Sequence, residues 1–260
     1  MVTASRTQVT ADARWADYLR TFHGQRAGIT EDVLVHALDD TGRTPYDWLA
    51  DGVPAAATVL DLACGNGSVR SSLPGRRWTG LDLSVEELAL ARSRGLPVAR
   101  ADAVQLPLRD RSVDVVVVSM ALMLLPLAAT LAEVSRVLRP GGLLVATVPV
   151  SGPLGHRDRW RYTRLCLALR HRGLAYPQDL ALRDAAAACA AGGLDLRQDE
   201  TRSFVCQVRD SGVADQLLAS LYLPDVPTER LRRGTSVVRS WVGTGITTPV
   251  RRLVAVRASG

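Results

Sequence analysis

Hydrophobic positions change their period several times along this chain, and those changes divide it into elements. In ADARWADYLRTF, Trp15, Leu19 and Phe22 fall on one helical face. After Gly28, the stretch Ile29–Ala37 carries Glu31 and Asp32 near its start, where acids suit a helix N-terminus. Thr44-Pro45 reads as a cap followed by proline at the first helical position of YDWLADG. From residue 57 strands and helices alternate, with strands expected at 57–62, 78–83, 97–101, 112–120 and 143–148. Val115–Val118 is apolar without a break, as in a strand covered on both faces. Ser84 and Glu87 form a capping-box pattern that opens a helix ending at Gly95. Leu127, Leu131, Val134 and Leu138 make one apolar stripe, which Arg139-Pro140-Gly141-Gly142 terminates. Past Pro149 the rhythm loosens into helices at 160–171, 179–191, 213–223 and 228–241 and strands at 197–208 and 249–257. Residues 1–10 read as a frayed tail.

This alternation predicts an α/β fold, a doubly wound and mostly parallel sheet with helices on both faces. With 260 residues, 47% of them hydrophobic and 22% charged, the chain is long enough and apolar enough to build such a core. No apolar run is long enough to cross a membrane, and the N-terminus lacks the apolar segment of a secretory signal. Four scattered cysteines without metal-ligand spacing read as reduced thiols, so a cytoplasmic location and no metal site are expected. The net charge of +6 raises the question of nucleic acid. All of the basic residues are arginine, and most are scattered. The densest run, Arg157–Arg172, reads as a solvated helix face more readily than as a binding patch.

The candidate chemistry lies after the first regular strand, in Asp61-Leu62-Ala63-Cys64-Gly65-Asn66-Gly67. Two glycines around one residue, at the carboxyl edge of a parallel sheet and leading into a helix, let a ligand approach the backbone. A dinucleotide fingerprint would need a small residue at the next glycine position, where Arg70 stands. A phosphate-binding P-loop would need a lysine, and the chain has none. Asp61 beside the loop would repel a pyrophosphate and attract a cationic ligand. Asp82, ending the next strand, can accept both hydroxyls of a ribose.

Together VLDLACGNG, LDLS, ADAVQLPL, DVVVVSMALMLL and EVSRVLRPGGLLVATVP resemble class I S-adenosylmethionine-dependent methyltransferases of the type 11 branch, over about residues 57–150. The resemblance implies a Rossmann-like sheet of seven strands with the last one antiparallel. It implies S-adenosyl-L-methionine as cofactor, with Asp61, Ala63, Cys64, Gly65 and Gly67 along its methionine part. Asp82 would hold the ribose, Leu83, Asp102 and Ala103 the adenine, and Ser119 and Met120 would lie near the sulfonium. Residues 1–55 would form an N-terminal helical cover over a methyltransferase core of residues 56–260, with lid insertions near 154–175 and 210–243.

The acceptor is expected to be a small molecule bound by Tyr18, Phe22, Tyr46 and Ala121, with His23 as the candidate base. Ser119-Met120-Ala121-Leu122 lacks the Asn/Asp-Pro-Pro-aromatic signature of amino-group methylases, and its apolar character suits an apolar acceptor. RNA methylation, and a methyltransferase fold that transfers no methyl group, stand as alternatives. The acceptor, the methylated atom and the oligomeric state are not written in the sequence.

Overall fold

A computed structural model describes residues 6–258 except 172, 174 and 175, with side chains described from residue 13. The chain order is α1 (Arg6–Gln25), α2 (Ile29–Leu34), β1 (Ala37–Leu38), α3 (Pro45–Ala50), β2 (Thr58–Leu62), β3 (Arg77–Asp82), α4 (Val85–Ser93), β4 (Val98–Arg100) and β5 (Val113–Ser119). It continues α5 (Leu127–Val137), β6 (Leu138–Pro149), α6 (His156–Leu169), α7 (Leu180–Arg183), α8 (Ala185–Ala191), β7 (Leu194–Val208), α9 (Ser211–Ala219), α10 (Thr228–Arg239) and β8 (Thr244–Arg257). One sheet runs β1-β7-β8-β6-β5-β2-β3-β4. β4, β3, β2, β5 and β6 are mutually parallel, and β8 inserts antiparallel between β6 and β7.

The unbroken apolar run of β5 still obeys the two-residue period of a strand. Val116 and Val118 join Leu60 and Leu62 against α5 and α8 on one face. Val115 and Val117 join Val59 against α3 and α4 on the other, where Leu49 and Leu88 are fully buried. Both faces of the central strands are therefore covered, as a parallel sheet requires.

The register explains how the rest of the chain reaches the site. β6 ends at Pro149, opposite Val250, which in turn pairs Arg202. The β7–β8 ribbon continues beyond that point, from Ser203↔Pro249 to Val208↔Thr244, and projects past the carboxyl edge of the sheet. Val208 and Ile246 at its tip pack with Leu165, Leu169, Leu218, Val238 and Trp241, so α6, α9 and α10 form one helical cap on this ribbon. The N-terminal segment uses the same support, because β1 pairs antiparallel with Val205 and Cys206. The Asp39 carboxylate after β1 accepts a 2.8 Å bond from Arg202.

Several local expectations change. The sheet has eight strands rather than seven, because the helix after Gly28 stops at Leu34 and Ala37-Leu38 form a two-residue edge pair too short to leave a pattern. The glycine loop enters a 3-10 turn, Ser68–Ser72, instead of an α-helix. Residues 179–191 hold two short helices, broken where Asp184 leaves helical geometry (φ −143°) to cap the second. The expected tail at residues 1–10 is helical from Arg6, while residues 1–5 lie outside the described residues, as does Arg172 of the arginine run. Within that run Arg161 is paired with Asp158, and Arg164 stacks over Trp160. All four cysteines are free thiols. No helix among the described residues is long and apolar enough to cross a membrane.

α8 lies against α5 at Gly192, where an added Cβ would collide with the Leu131 Cβ and come within 3.1 Å of the Leu131 backbone carbon. Gly192→Ala is expected to lower unfolding stability by about 1–3 kcal/mol through overpacking, read as a lower urea midpoint at unchanged slope.

Candidate active site

β2 delivers Asp61 to the carboxyl edge and then turns sharply. Ala63, Gly65 and Gly67 all adopt left-handed backbone, with φ of 54°, 53° and 79°. For Ala63 that conformation costs about 1–2 kcal/mol, which the surrounding packing must overcome. Gly65 is required for a second reason: a Cβ there would collide with the Glu31 carboxylate. Met120, just past the end of neighbouring β5, is left-handed as well, at φ 54°.

Asp61 is completely buried. Its Oδ2 accepts a 3.2 Å bond from Trp78 Nε1, and its Oδ1 has no partner. Burial drives its carboxyl far above the usual carboxylate range, with Asp82 and Glu31 adding to the rise against the Trp78 bond. Asp82 bridges two strand ends: Oδ2 accepts from Gly65 N and Oδ1 from Ser84 N, both at 2.8 Å. Burial raises its pKa too, while these two backbone donors restrain the rise.

Two further acids come to the same place. Ser84 caps α4 through the Glu87 backbone N–H, but the reciprocal half of the expected capping box is absent. Asp82 already takes the Ser84 N–H, which frees the Glu87 side chain to turn inward. Its carboxylate accepts from Gly28 N at 3.1 and 3.0 Å and from His23 Nδ1 at 2.9 Å. With Nδ1–H donating to Glu87, the neutral imidazole presents Nε2 as an acceptor, 3.3 Å from the Tyr222 hydroxyl. Burial alone would depress the imidazole pKa, but the Glu87 bond and the charges of Glu87, Glu31 and Asp82 outweigh it and raise it. Glu31, on α2, lies over Gly65 with Oε2 buried and unpartnered. Burial and the Glu87 charge push its carboxyl up to about 7.

The structure thus brings His23, Asp61, Gly65 and Asp82 together. Phe22 stacks on Tyr222 with ring centroids 4.7 Å apart, and Tyr18 accepts a 2.8 Å bond from Leu223 N, so both hold α1 against the cap. Ser119 Oγ lies 3.3 Å from Thr147 Oγ1. Leu83 is 56% exposed at the end of β3, and exposed Asp102 accepts from Val104 N. Ala103 and Ala121 are packed into the core between the sheet and α5, and Tyr46 into the core on the opposite face, with no open pocket surface of their own. Burial pushes the Cys64 thiol far up and leaves it unreactive. No group of three or more potential metal ligands occurs among the described residues. A shallow cleft of about 660 Å³ lies at the amino edge, between Thr58, Arg77 and Gly95, away from this constellation. Glu31, Glu87 and Tyr222 were not singled out by sequence, since an acid in the first turn of a helix ordinarily points to solvent.

Two consequences can be measured. Because Glu31 gains its proton preference only on folding, the native chain takes up a proton between about pH 4.5 and 7. Stability contributed by the protonated form therefore falls as pH rises through that window. Glu31→Gln should stabilise the ligand-free protein by about 1–3 kcal/mol near pH 8 and change it little near pH 5, by denaturant melts at both values. Glu87→Gln should lower the His23 pKa, visible as an earlier-titrating imidazole resonance by NMR.

A family described as "Methyltransferase domain" matches residues 60–146. Phthiotriol/phenolphthiotriol dimycocerosates methyltransferase 1 of Mycobacterium ulcerans is 42% identical over 98 residues, covering 34% of this chain and 36% of that protein. Demethylmenaquinone methyltransferase of Corynebacterium kroppenstedtii is 32% identical over 124 residues, covering 46% and 54%. Malonyl-acyl-carrier-protein O-methyltransferase of Alcanivorax borkumensis is 35% identical over 131 residues, covering 46% and 44%. The matches thus span about half or less of these relatives. Among solved structures, YcgJ of Bacillus subtilis superposes with a TM-score of 0.56 at 18% identity, covering 82% of this chain and 97% of that one. The cyclase SpnF gives 0.57 at 19% identity, covering 100% and 99%, which establishes the shared fold. The domain match lies on the very strands and loop that carry Asp61, Gly65 and Asp82, so residues 60–146 of this chain carry a methyltransferase domain.

Proposed function

We propose that this chain transfers the methyl group of S-adenosylmethionine to a small-molecule acceptor. The observation that carries the reading is Asp61: a wholly buried carboxylate with one unpartnered oxygen, beside a turn whose two glycines leave no room for a Cβ. A buried acid lacking a partner is a costly group unless a cation completes it. A nucleoside carrying an ammonium and a sulfonium supplies that cation. Asp61, Ala63, Cys64, Gly65 and Gly67 would line its methionine part, and Asp82 would exchange its backbone donors for the ribose hydroxyls. Exposed Leu83 and Asp102, with Ala103 behind, would meet the adenine. Ser119 and Met120 would lie beside the sulfur.

The bound cofactor contributes a methyl group already activated by positive sulfur, so the protein's part is alignment and exclusion of water. α1, α2 and the cap supply the exclusion, since Phe22 and Tyr222 close over the edge. His23 Nε2 is the proton acceptor for the acceptor group. Glu87 holds Nδ1–H and balances the imidazolium, while the Tyr222 hydroxyl offers its hydrogen bond to the arriving oxygen or nitrogen in place of the ring. Phe22, Met120 and Tyr222 present an apolar approach. An apolar acceptor is also supported by relatives named for demethylmenaquinone and phthiotriol dimycocerosates. Residues 1–55 and the insertions near 154–175 and 210–243 act as cover and lid to the core of 56–260.

Titration calorimetry with S-adenosylmethionine, S-adenosylhomocysteine and NADH tests the reading. Binding of both sulfur ligands and not of NADH is expected, with Asp82→Ala weakening both by about 1.5–3 kcal/mol. Binding of NADH instead, or of no ligand, would refute it.

A further inference from the structure

Of the four acids gathered at the carboxyl edge, three have hydrogen-bond donors that account for their placement. Glu87 is held by His23 and Gly28, Asp82 by Gly65 and Ser84, and Asp61 by Trp78 on one oxygen. Glu31 differs. Among the described residues its Oε2 is shut from solvent with no partner, although it sits on α2, a surface helix from which a glutamate could reach water. Its other oxygen occupies the space where a Gly65 side chain would be, directly over the loop. The groups facing it are Glu87 from α4, Asp61 from β2, Asp82 from β3, Cys64 from the glycine loop, Tyr46 from α3, Tyr222 from the cap and His23 from α1. All but His23 are acids, phenols or a thiol. His23 is the cationic group acting on it, and His23 is already committed to Glu87.

An acid buried among acids and aimed at a backbone turn is unfavourable in the ligand-free chain. It becomes favourable when a cation with several donors enters between it and the loop. We infer that Glu31, carried by the N-terminal cover, is the counterion for the α-ammonium group of the bound methionine moiety, so that cover closure and cofactor capture are one event. This rests on the cofactor reading above and adds to it a ligand contributed from outside the matched domain, which begins at residue 60. The balance is simple: protonated Glu31 meets R–NH3⁺, the carboxyl proton leaves to solvent, and a carboxylate–ammonium pair remains. Because Glu31 titrates at about 7 in the free protein, binding below that pH must release the proton.

The experiment is calorimetry on the full chain, wild type and Glu31→Gln, in two buffers of different ionisation enthalpy near pH 6. The probes are S-adenosylhomocysteine and 5′-methylthioadenosine, which lacks the amino-acid end. The ligand's own amine is already protonated near pH 6 and contributes equally to both proteins. For S-adenosylhomocysteine, Glu31→Gln is expected to release about one proton fewer and to bind about tenfold more weakly. Its affinity for methylthioadenosine should equal that of the wild type. Glu31→Asp, which keeps the charge on a shorter arm, should retain the proton release and lose affinity, and it carries the test should the glutamine variant not fold. An unchanged proton count, or an equal loss with both ligands, would overturn the inference while leaving the cofactor reading intact. A wild type that binds methylthioadenosine but not S-adenosylhomocysteine would overturn it as well. Failure of the wild type to bind any sulfur nucleoside would instead bring down the cofactor reading itself.

Discussion

Confining carboxylates away from water at one end of a parallel sheet is the constraint on which the rest of this structure turns. Asp61 lies at the bottom with no exposure, Asp82 spans the gap to the next strand, and Glu31 and Glu87 close in from the helices above. Each neighbour makes the next harder to ionise, since like charges in a poorly solvated site repel strongly. The protein manages this with fixed dipoles where it can. The backbone N–H groups of Gly28, Gly65 and Ser84 and the indole of Trp78 are spent on carboxylate oxygens. Two oxygens, Asp61 Oδ1 and Glu31 Oε2, are left over. A fold that only needed stability would have filled those positions with apolar side chains.

Holding the site closed is a problem of reach, and the β7–β8 ribbon solves it. A sheet trimmed at Pro149 would end level with the glycine turn and leave the acids open to water. By running on to Val208 and Thr244, the two strands create a wall on which both coverings hang. The cap packs on its tip, and β1 pairs to its outer edge. The two coverings then meet each other over the site, through Phe22 against Tyr222, Tyr18 against Leu223 and Arg26 against the Ala219 carbonyl. Segments separated by about two hundred residues in sequence thus share one aromatic seam.

The core could be read from the sequence because its information is local. Short apolar runs at 57–62 and 112–120, the break at Arg139–Gly142 and the Gly65/Gly67 pair each report a backbone conformation that neighbours alone dictate. Asp61 and Asp82 were legible for the same reason, as acids at strand ends. The cover was not. Glu87 satisfies the spacing of a capping box, and only the prior claim of Asp82 on the Ser84 N–H turns its side chain inward. Tyr222 and Glu31 sit in segments whose periodicity says helix or turn and nothing about which face meets His23. β1 escaped because two residues carry no period at all. Conversely, Ala103 and Ala121, expected at the site from the family resemblance, and Tyr46, expected there as a pocket aromatic, have side chains packed into the core of this chain.

The leftover oxygens give the cover its behaviour. A segment tied down by a few hydrogen bonds and one aromatic seam, over acids that gain by being hydrated, is expected to open at lower cost than the sheet beneath it. Opening would let water reach Glu31 and Asp61; closing would expel it and restore their penalty. A cation that enters before closing removes that penalty and is then bound more tightly by the closed state than by the open one. Differential affinity of this kind is what allows a ligand to shift such an equilibrium. Gly28 is where the two halves of this balance touch. Its N–H is clamped by Glu87 from the core, while its left-handed backbone (φ 81°) starts the helix that carries Glu31. Movement there would shift the tether and the position of Glu31 together.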